Sequence, residues 1–285
     1  MSLTSNTTLV HDHKELLGAF HHAVDVTSDL IPLEDCPDEK LASTLHISQV
    51  MLTRAQEQAQ ASIELFLSGH WAAFEALSRI SLEYSVQVSS LMSDDPRKTL
   101  GCYLGNHFQE MKKRQKQMRD IFVTEGDEKG LHELEKHHDQ MLYRQELVSG
   151  YATFCGFKLI QETKRATTLD TFKTLGKAKL YRGLYSVLSS QVHADAESLV
   201  DYIVVHCVQR PDEEKDIAAQ EMYHWMLHFL INLIAAYIEA SIWFTRCFSL
   251  DNKTFRLEEI SQQVSTLEKQ YSRNFQQFKT NASGF

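Results

Sequence analysis

The most apolar segment of this 285-residue chain is Glu221–Phe248, EMYHWMLHFLINLIAAYIEASIWFTRCF, and neither Pro nor Gly interrupts it. As an α-helix it would measure roughly 40 Å, because each residue adds about 1.5 Å. That length suits a transmembrane span or the buried central helix of a large helical protein. His228, Asn232 and Glu239 lie within the stretch, and each is costly in lipid. No second comparable stretch exists, so we predict a buried central helix and no membrane partner.

The overall composition predicts a folded cytoplasmic protein. Hydrophobic residues make up 43% of the chain and charged residues 24%, which allows a substantial core. The net charge of −9 disfavours a broad nucleic-acid-coating surface. The first residues contain neither a basic segment nor an apolar segment of the kind that a secretory signal needs. The five Cys lack zinc-finger spacing, and their odd number argues against a disulfide framework.

Helical spacing of apolar residues runs through most of the chain, with breaks where Pro, Gly and polar residues cluster. We therefore predict one all-α domain over residues 1–285, a bundle of about eight to ten helices, because no strand would find a partner. Residues 150–178 give no continuous helical pattern. The predicted helices span 9–29, 37–67, 71–92, 97–123, 131–149, 179–192, 199–208, 212–249 and 254–279.

Several sequence features suggest specific chemistry, and each also has a simpler explanation. The Glu135-x-x-His138 and Glu221-x-x-His224 pairs match an element of ferritin-like di-iron bundles, with Glu83 and Glu197 as further candidate ligands. About one such pair is expected by chance in a chain of this composition. Di-iron binding is therefore an alternative hypothesis, and the main prediction includes neither a metal nor a cofactor.

The fourth predicted helix contains two further patterns. The basic run 112–119, KKRQKQMR, could attract phosphates, but it lacks interleaved aromatic residues, so nucleic acid is only a weakly supported partner. Charge runs on helices are usually solvated faces. Gly101 and Gly105 are four residues apart, which indicates either a tight packing contact or nothing.

A polar stripe is predicted on the helix 179–192. Arg182, Tyr185, Ser189 and His193 recur at intervals of three, four and four, which places them on one side of an α-helix. Apolar residues lie beside this stripe, so its polar groups need partners if they are buried.

A second polar pair occurs on the strongly apolar helix 71–92. Arg79 and Glu83 are one turn apart and can form an ion pair. Because an unpaired buried charge is very costly, we predict that this pair packs against the stripe that contains His193.

These two places resemble a known family. The sequences Arg79-Ile-Ser-Leu-Glu83-Tyr84 and Leu184-Tyr-Ser-Val-Leu-Ser189-Ser-Gln-Val-His193-Ala194 resemble the signature stretches of a mainly bacterial, all-helical family of unknown function. Its members show an R-x-x-x-E helix and a later Y-x-x-L-S-x-x-x-H-A segment. The resemblance covers roughly 70–210 and implies a helical bundle in which the matching residues lie together. It implies no activity.

The functional prediction is a binding or regulatory module with a polar pocket for a small anionic ligand. Arg79, Glu83 and His193 are the candidate catalytic residues, and Arg182, Tyr185 and Ser189 are the candidate ligand-binding residues. An Arg together with a His can bind a phosphate or carboxylate group. The enzymatic alternative is a metal-independent phosphodiesterase or ribonuclease-like activity. In it, His193 would act as general acid/base and Arg79 would stabilise developing negative charge. A purely structural role for the cluster, tying two helices together, also remains open.

Overall fold

The computed structural model describes residues 13–28, 39–93, 95–160, 167–185 and 212–282. These residues are predominantly helical and include no strand, which confirms the all-α prediction. The α-helices are α1 (Lys14–Ser28), α2 (Glu39–Leu67), α3 (Trp71–Met92), α4 (Pro96–Glu125), α5 (Glu128–Phe154), α6 (Thr168–Thr174), α7 (Ala178–Leu180), α8 (Asp212–Cys247) and α9 (Asp251–Ala282). A π-helical turn, Tyr181–Tyr185, directly follows α7.

Most helices end within a few residues of the predicted positions. The predicted helix 179–192 differs, because α-helical geometry stops at Leu180 and the π-helical turn takes over. The remainder of that helix and all of the predicted helix 199–208 lie outside the described residues.

The helix ends follow from local chemistry. At the start of α4, the Asp95 side chain accepts a hydrogen bond from the backbone N–H of Arg97, and Pro96 occupies the first helical position. At its end, Gly126 adopts the left-handed conformation (φ 68°) that glycine accepts without steric cost. Asp127 then caps α5 by accepting a bond from Gly130 N–H at 2.8 Å. This short connection makes α4 and α5 a helical hairpin.

Helix α8 is the central apolar element and packs against α1 and α9. The segment Ala219–Cys247 is long and apolar enough to cross a membrane, but 72% of its most apolar window is buried inside the protein. Tyr237 and Phe244 are fully buried. The Tyr237 hydroxyl lies 2.8 Å from Thr27 Oγ1 on α1, and burial raises the pKa of Tyr237 to about 12. The prediction of a buried central helix is confirmed.

The side of α8 that faces outward is interrupted by polar residues. Trp225, His228, Asn232, Ala235 and Glu239 recur every three or four residues along it and are exposed or half-buried. Asn232 Nδ2 donates to the backbone carbonyl of His228 at 2.8 Å. His228, Asn232 and Glu239, which would be costly in lipid, therefore lie on the least buried face of the helix.

The chain groups into two compact units. In the described chain, the first unit comprises 13–28, 48–90, 168–185 and 212–282, and the second comprises 39–47, 91–93, 95–160 and 167. The single domain predicted over residues 1–285 stays a prediction.

In the first unit, small side chains line the side of α3 that is buried. Ser78, Ser81, Ser85 and Ser89 recur at helical spacing, and all are almost fully buried. Ser81 Oγ donates to the carbonyl of Ala55 on α2 at 2.9 Å. Small residues at these positions let the two helix backbones approach closely.

In the second unit, the G-x-x-x-G pattern marks a close backbone contact. Ile160 N–H donates to the Gly101 carbonyl at 3.0 Å. A Cβ atom added at Gly101 would collide with the carbonyl oxygen of Lys158, and one added at Gly105 would collide with that of Ile160. The two glycines therefore let residues 158–160 cross α4 at short range.

We expect Gly105→Ala to lower the free energy of unfolding by about 1–3 kcal/mol, because a rigid backbone blocks the new methyl group. Gly150→Ala is the matched control, since this helical glycine has no neighbour within 4 Å of an added Cβ. That substitution should stabilise the protein by about 0.5–1 kcal/mol through helix propensity. Urea denaturation of both variants measures the difference, and equal effects would contradict the close contact.

We expect the protein to be recovered in the soluble fraction without detergent, because α8 buries its apolar surface against other helices. Fractionation of expressing cells with a carbonate wash of the membranes tests this. Recovery from washed membranes alone would contradict the prediction.

Candidate functional site

Three of the predicted site residues meet in the first unit. Arg79 and Glu83 lie one turn apart on α3, and Tyr185 is the last residue of the π-helical turn. Arg79 Nε donates to Glu83 Oε1 at 3.2 Å, and Arg79 Nη2 donates to the Tyr185 hydroxyl at 3.2 Å. The Tyr185 hydroxyl in turn donates to Glu83 Oε1. We call this closed set of hydrogen bonds the Arg79–Glu83–Tyr185 triad.

Aromatic packing holds the phenol of the triad in place. Tyr181 stacks on Tyr185 with ring centroids 5.0 Å apart. Phe172 is buried, and its ring centroid lies 5.6 Å from that of Tyr185. The guanidinium carbon of Arg79 lies 5.2 Å from the centroid of the Tyr185 ring, a cation–π distance. Tyr185 is only 6% exposed, so its hydroxyl needs the polar partners that α3 supplies.

Two members of the triad, Tyr185 and Arg79, have raised pKa values. Burial and the hydrogen bond donated to Glu83 raise the pKa of Tyr185, so the phenol stays protonated and remains a donor. Burial lowers the pKa of Arg79, but the Tyr185 hydroxyl and the Glu83 carboxylate outweigh it and raise that pKa overall. Arg79 is therefore a permanent cation in the triad.

The triad is only partly enclosed by the described residues. The side chains of Arg79 and Glu83 keep 21% and 40% of their surface exposed. Among the described residues, Arg79 Nη1 has no hydrogen-bond partner, although Nε and Nη2 are both used. The guanidinium is thus oriented by two protein groups, and within the described residues it still has donors available for a third.

Of the other three candidate residues, only Arg182 lies in the described part of the chain. Arg182 is exposed on the π-helical turn, whereas Tyr185 is buried. A π-helical turn closes with wider hydrogen-bonded rings than an α-helix, so the stripe predicted from α-helical spacing does not extend through it. Ser189 and His193 lie outside the described residues, and their proximity to Arg79 stays a prediction.

Sequence reasoning missed one ion pair. Lys177, just before α7, donates from Nζ to Glu239 Oε2 on the central helix. The position of Glu239 gave a reason to expect a partner, because a carboxylate in a strongly apolar helix is costly unless it is paired. The sequence could not show that Lys177 is this partner, since Lys177 lies 62 positions from Glu239.

The two E-x-x-H pairs do not form a metal site in the described chain, where no cluster of three or more His, Cys, Asp or Glu side chains could hold an ion. Glu135 and His138 are exposed on α5, and His138 Nδ1 lies 2.8 Å from Gln115 Oε1. His224 lies on α8, while Glu197, a further predicted ligand, is outside the described residues.

The basic run on α4 is largely solvated. Its five basic side chains are all exposed: Lys112, Lys113, Arg114, Lys116 and Arg119. Arg114 also approaches Glu110 at 3.8 Å, a surface pair of little energetic weight. This matches the solvated face that charge runs usually form.

The fold and the triad define a helical protein with a buried aromatic residue bonded to an Arg–Glu pair. The profile of a family of unknown function, DUF5677, matches residues 45–209, which include the whole triad. The chain therefore belongs to this family, which confirms the family of unknown function expected from the resemblance. The bacterial origin and the two signature motifs of that expectation stay predictions. No curated protein matches the chain, and no solved structure matches it.

We expect Tyr185→Phe to lower the free energy of unfolding by about 1–3 kcal/mol, because it removes a buried hydroxyl that links Arg79 to Glu83. Tyr181→Phe is the matched control. Its ring belongs to the same stack, but its hydroxyl makes no hydrogen bond within the described chain. It should change stability by less than about 0.5 kcal/mol. Thermal and urea unfolding of both variants provide the comparison, and equal losses would argue against the triad.

Proposed function

We propose that the protein is a binding or regulatory module that receives a small anionic group at Arg79. The observation that carries this proposal is the guanidinium with two nitrogens held by Glu83 and Tyr185 and with Nη1 unpaired among the described residues. A guanidinium held in place loses little conformational freedom when it binds a planar or tetrahedral oxyanion. Phosphate and carboxylate groups are the ligands that such a fork recognises.

The negative charge of the Glu83 carboxylate repels an anion at this place. Its Oε1 atom, however, accepts hydrogen bonds from both Arg79 and Tyr185, which compensates part of its charge. The same carboxylate orients the guanidinium. Glu83 therefore acts as a positioning residue, and the ligand would contact Arg79.

His193 and Ser189 complete the proposed pocket. The family resemblance supports their participation, because both belong to the segment that begins at Tyr185. A cytoplasmic location also belongs to this proposal.

We expect Arg79→Ala to weaken binding of an anionic probe at least about tenfold, since charge-assisted hydrogen bonds contribute about 1.5–3 kcal/mol. Isothermal titration with inorganic phosphate, acetate and a dinucleotide measures the affinity. Arg54→Ala is the matched control, because Arg54 also pairs with a Glu on its own helix but is largely exposed. It should bind the probes as the unmodified protein does.

Arg79→Lys separates binding from a scaffold role. This variant keeps the positive charge and loses the planar fork, so it should fold normally and bind the probe more weakly. If none of the three probes shows Arg79-dependent binding, the proposal is wrong. Loss of folding in Arg79→Ala, with full recovery in Arg79→Lys and no probe binding by the unmodified protein, would instead assign the triad a structural role.

A further inference from the structure

A second candidate site lies in the first unit and shares no residue with the triad. A cavity of about 210 Å³ opens between α8 and α9. Helix α8 contributes His224, Trp225 and His228, and α9 contributes Glu268 and the aromatic residues Tyr271 and Phe275. The α9 residues recur at intervals of three and four, so they share one side of that helix. One of the two E-x-x-H pairs, Glu221-x-x-His224, brings its histidine to this cavity.

The charge of the cavity wall is negative. Glu268 is its only acidic lining residue, and no Lys or Arg lines the cavity in the described chain. Burial lowers the pKa of His224, and burial lowers that of His228 despite the opposing attraction of Glu268. Both imidazoles are therefore neutral at pH 7. An anion would meet a carboxylate here without a compensating cation.

Aromatic rings form much of the remaining wall. Trp225, Tyr271 and Phe275 all line the cavity, and the Phe275 ring lies 4.7 Å from the His224 ring. The faces of aromatic rings carry partial negative charge and attract cations that approach within about 6 Å of their centroids. Trp225 is half exposed, so one wall of the cavity borders solvent. Several rings together with one carboxylate form the chemistry that recognises ammonium groups.

The size of the cavity restricts the ligand further. Pockets for drug-sized molecules usually enclose about 300–1,000 Å³, so this cavity suits a head group and not a large molecule. The lining of this cavity fits an inorganic metal ion less well than it fits an organic cation. No set of three or more metal-ligating side chains converges here or elsewhere in the described residues, although His224 and His228 lie one turn apart.

We propose that the cavity between α8 and α9 binds a small organic cation, an alkylammonium head group, with Glu268 as its counter-ion and aromatic side chains as its walls. This site is independent of the anion site proposed at Arg79, because it shares no residue with it and attracts the opposite charge. The protein would then recognise two chemically different groups through separate residues.

The test uses the full-length protein and tetramethylammonium chloride as the probe, titrated against sodium chloride at equal ionic strength. We expect saturable binding, followed by tryptophan fluorescence and by calorimetry. Glu268→Gln keeps the shape of the side chain and should weaken binding about tenfold, because it removes the counter-charge. Trp225→Leu should weaken binding as well, because it removes an aromatic wall.

Glu259→Gln is the matched control, since Glu259 is an exposed carboxylate on the same helix and does not line the cavity. It should bind the probe as the unmodified protein does. Circular dichroism of each variant verifies that it is folded. The absence of saturable binding to the unmodified protein, or equal affinity in folded Glu268→Gln, would overturn the proposal.

Two further titrations distinguish the remaining explanations. Zinc binding that depends on His224 and His228, without tetramethylammonium binding, would make the cavity a metal site and overturn the proposal. Phosphate binding should be unchanged in Glu268→Gln, and tetramethylammonium binding should be unchanged in Arg79→Lys. Failure of either proposed site would therefore be visible separately from failure of the other.

Discussion

Burial of the central helix α8 is the constraint on which the first unit depends. Each large apolar side chain removed from water contributes about 1.5–3 kcal/mol, and α8 supplies many of the buried residues of the first unit, including Tyr237 and Phe244. The helix cannot bury this surface alone, so α1 and α9 pack against it. Its polar residues then have to lie where solvent or a protein partner can reach them. The Lys177–Glu239 ion pair is one consequence of that requirement.

The triad depends on a similar requirement at a smaller scale. Packing among Phe172 and Tyr181 buries the Tyr185 ring, and a buried phenol must find hydrogen-bond partners. Arg79 and Glu83 provide them from a neighbouring helix. Within the described residues these contacts orient the guanidinium without using all its donors, which suits both the packing of the helices and the anion binding that we propose. The proposed cation cavity differs, because the Glu268 carboxylate and the aromatic walls favour the opposite charge.

Much of the architecture could be predicted from local patterns. The helix positions follow from apolar spacing, and their ends follow from groups such as Asp95 with Pro96 and Gly126, whose effects are confined to neighbouring residues. The sequence also singled out Arg79, Glu83 and Tyr185 as polar residues on apolar faces. The regular α-helical spacing predicted between Arg182 and Tyr185 is wrong, because the backbone there forms a π-helical turn. A ligand-binding role for Arg182 stays a prediction. The sequence offered no means of finding the cavity formed by Glu268, Tyr271 and Phe275, whose residues look like an ordinary amphipathic helix surface.

By itself, the sequence determined the all-α class, the buried central helix and the need of Arg79 and Glu83 for partners. Helical periodicity and the cost of burying charge act over a few residues, so both can be recognised along the chain. The sequence predicted that the stripe with Tyr185 packs against Arg79 and Glu83, and the tertiary structure decided which atoms meet and which distant cation pairs with Glu239. It paired Tyr185 with Arg79 and Lys177 with Glu239, and it brought the backbone of residues 158–160 against Gly101 and Gly105. The physical reason is that such pairings depend on how whole helices pack, and many pairings satisfy the same local pattern.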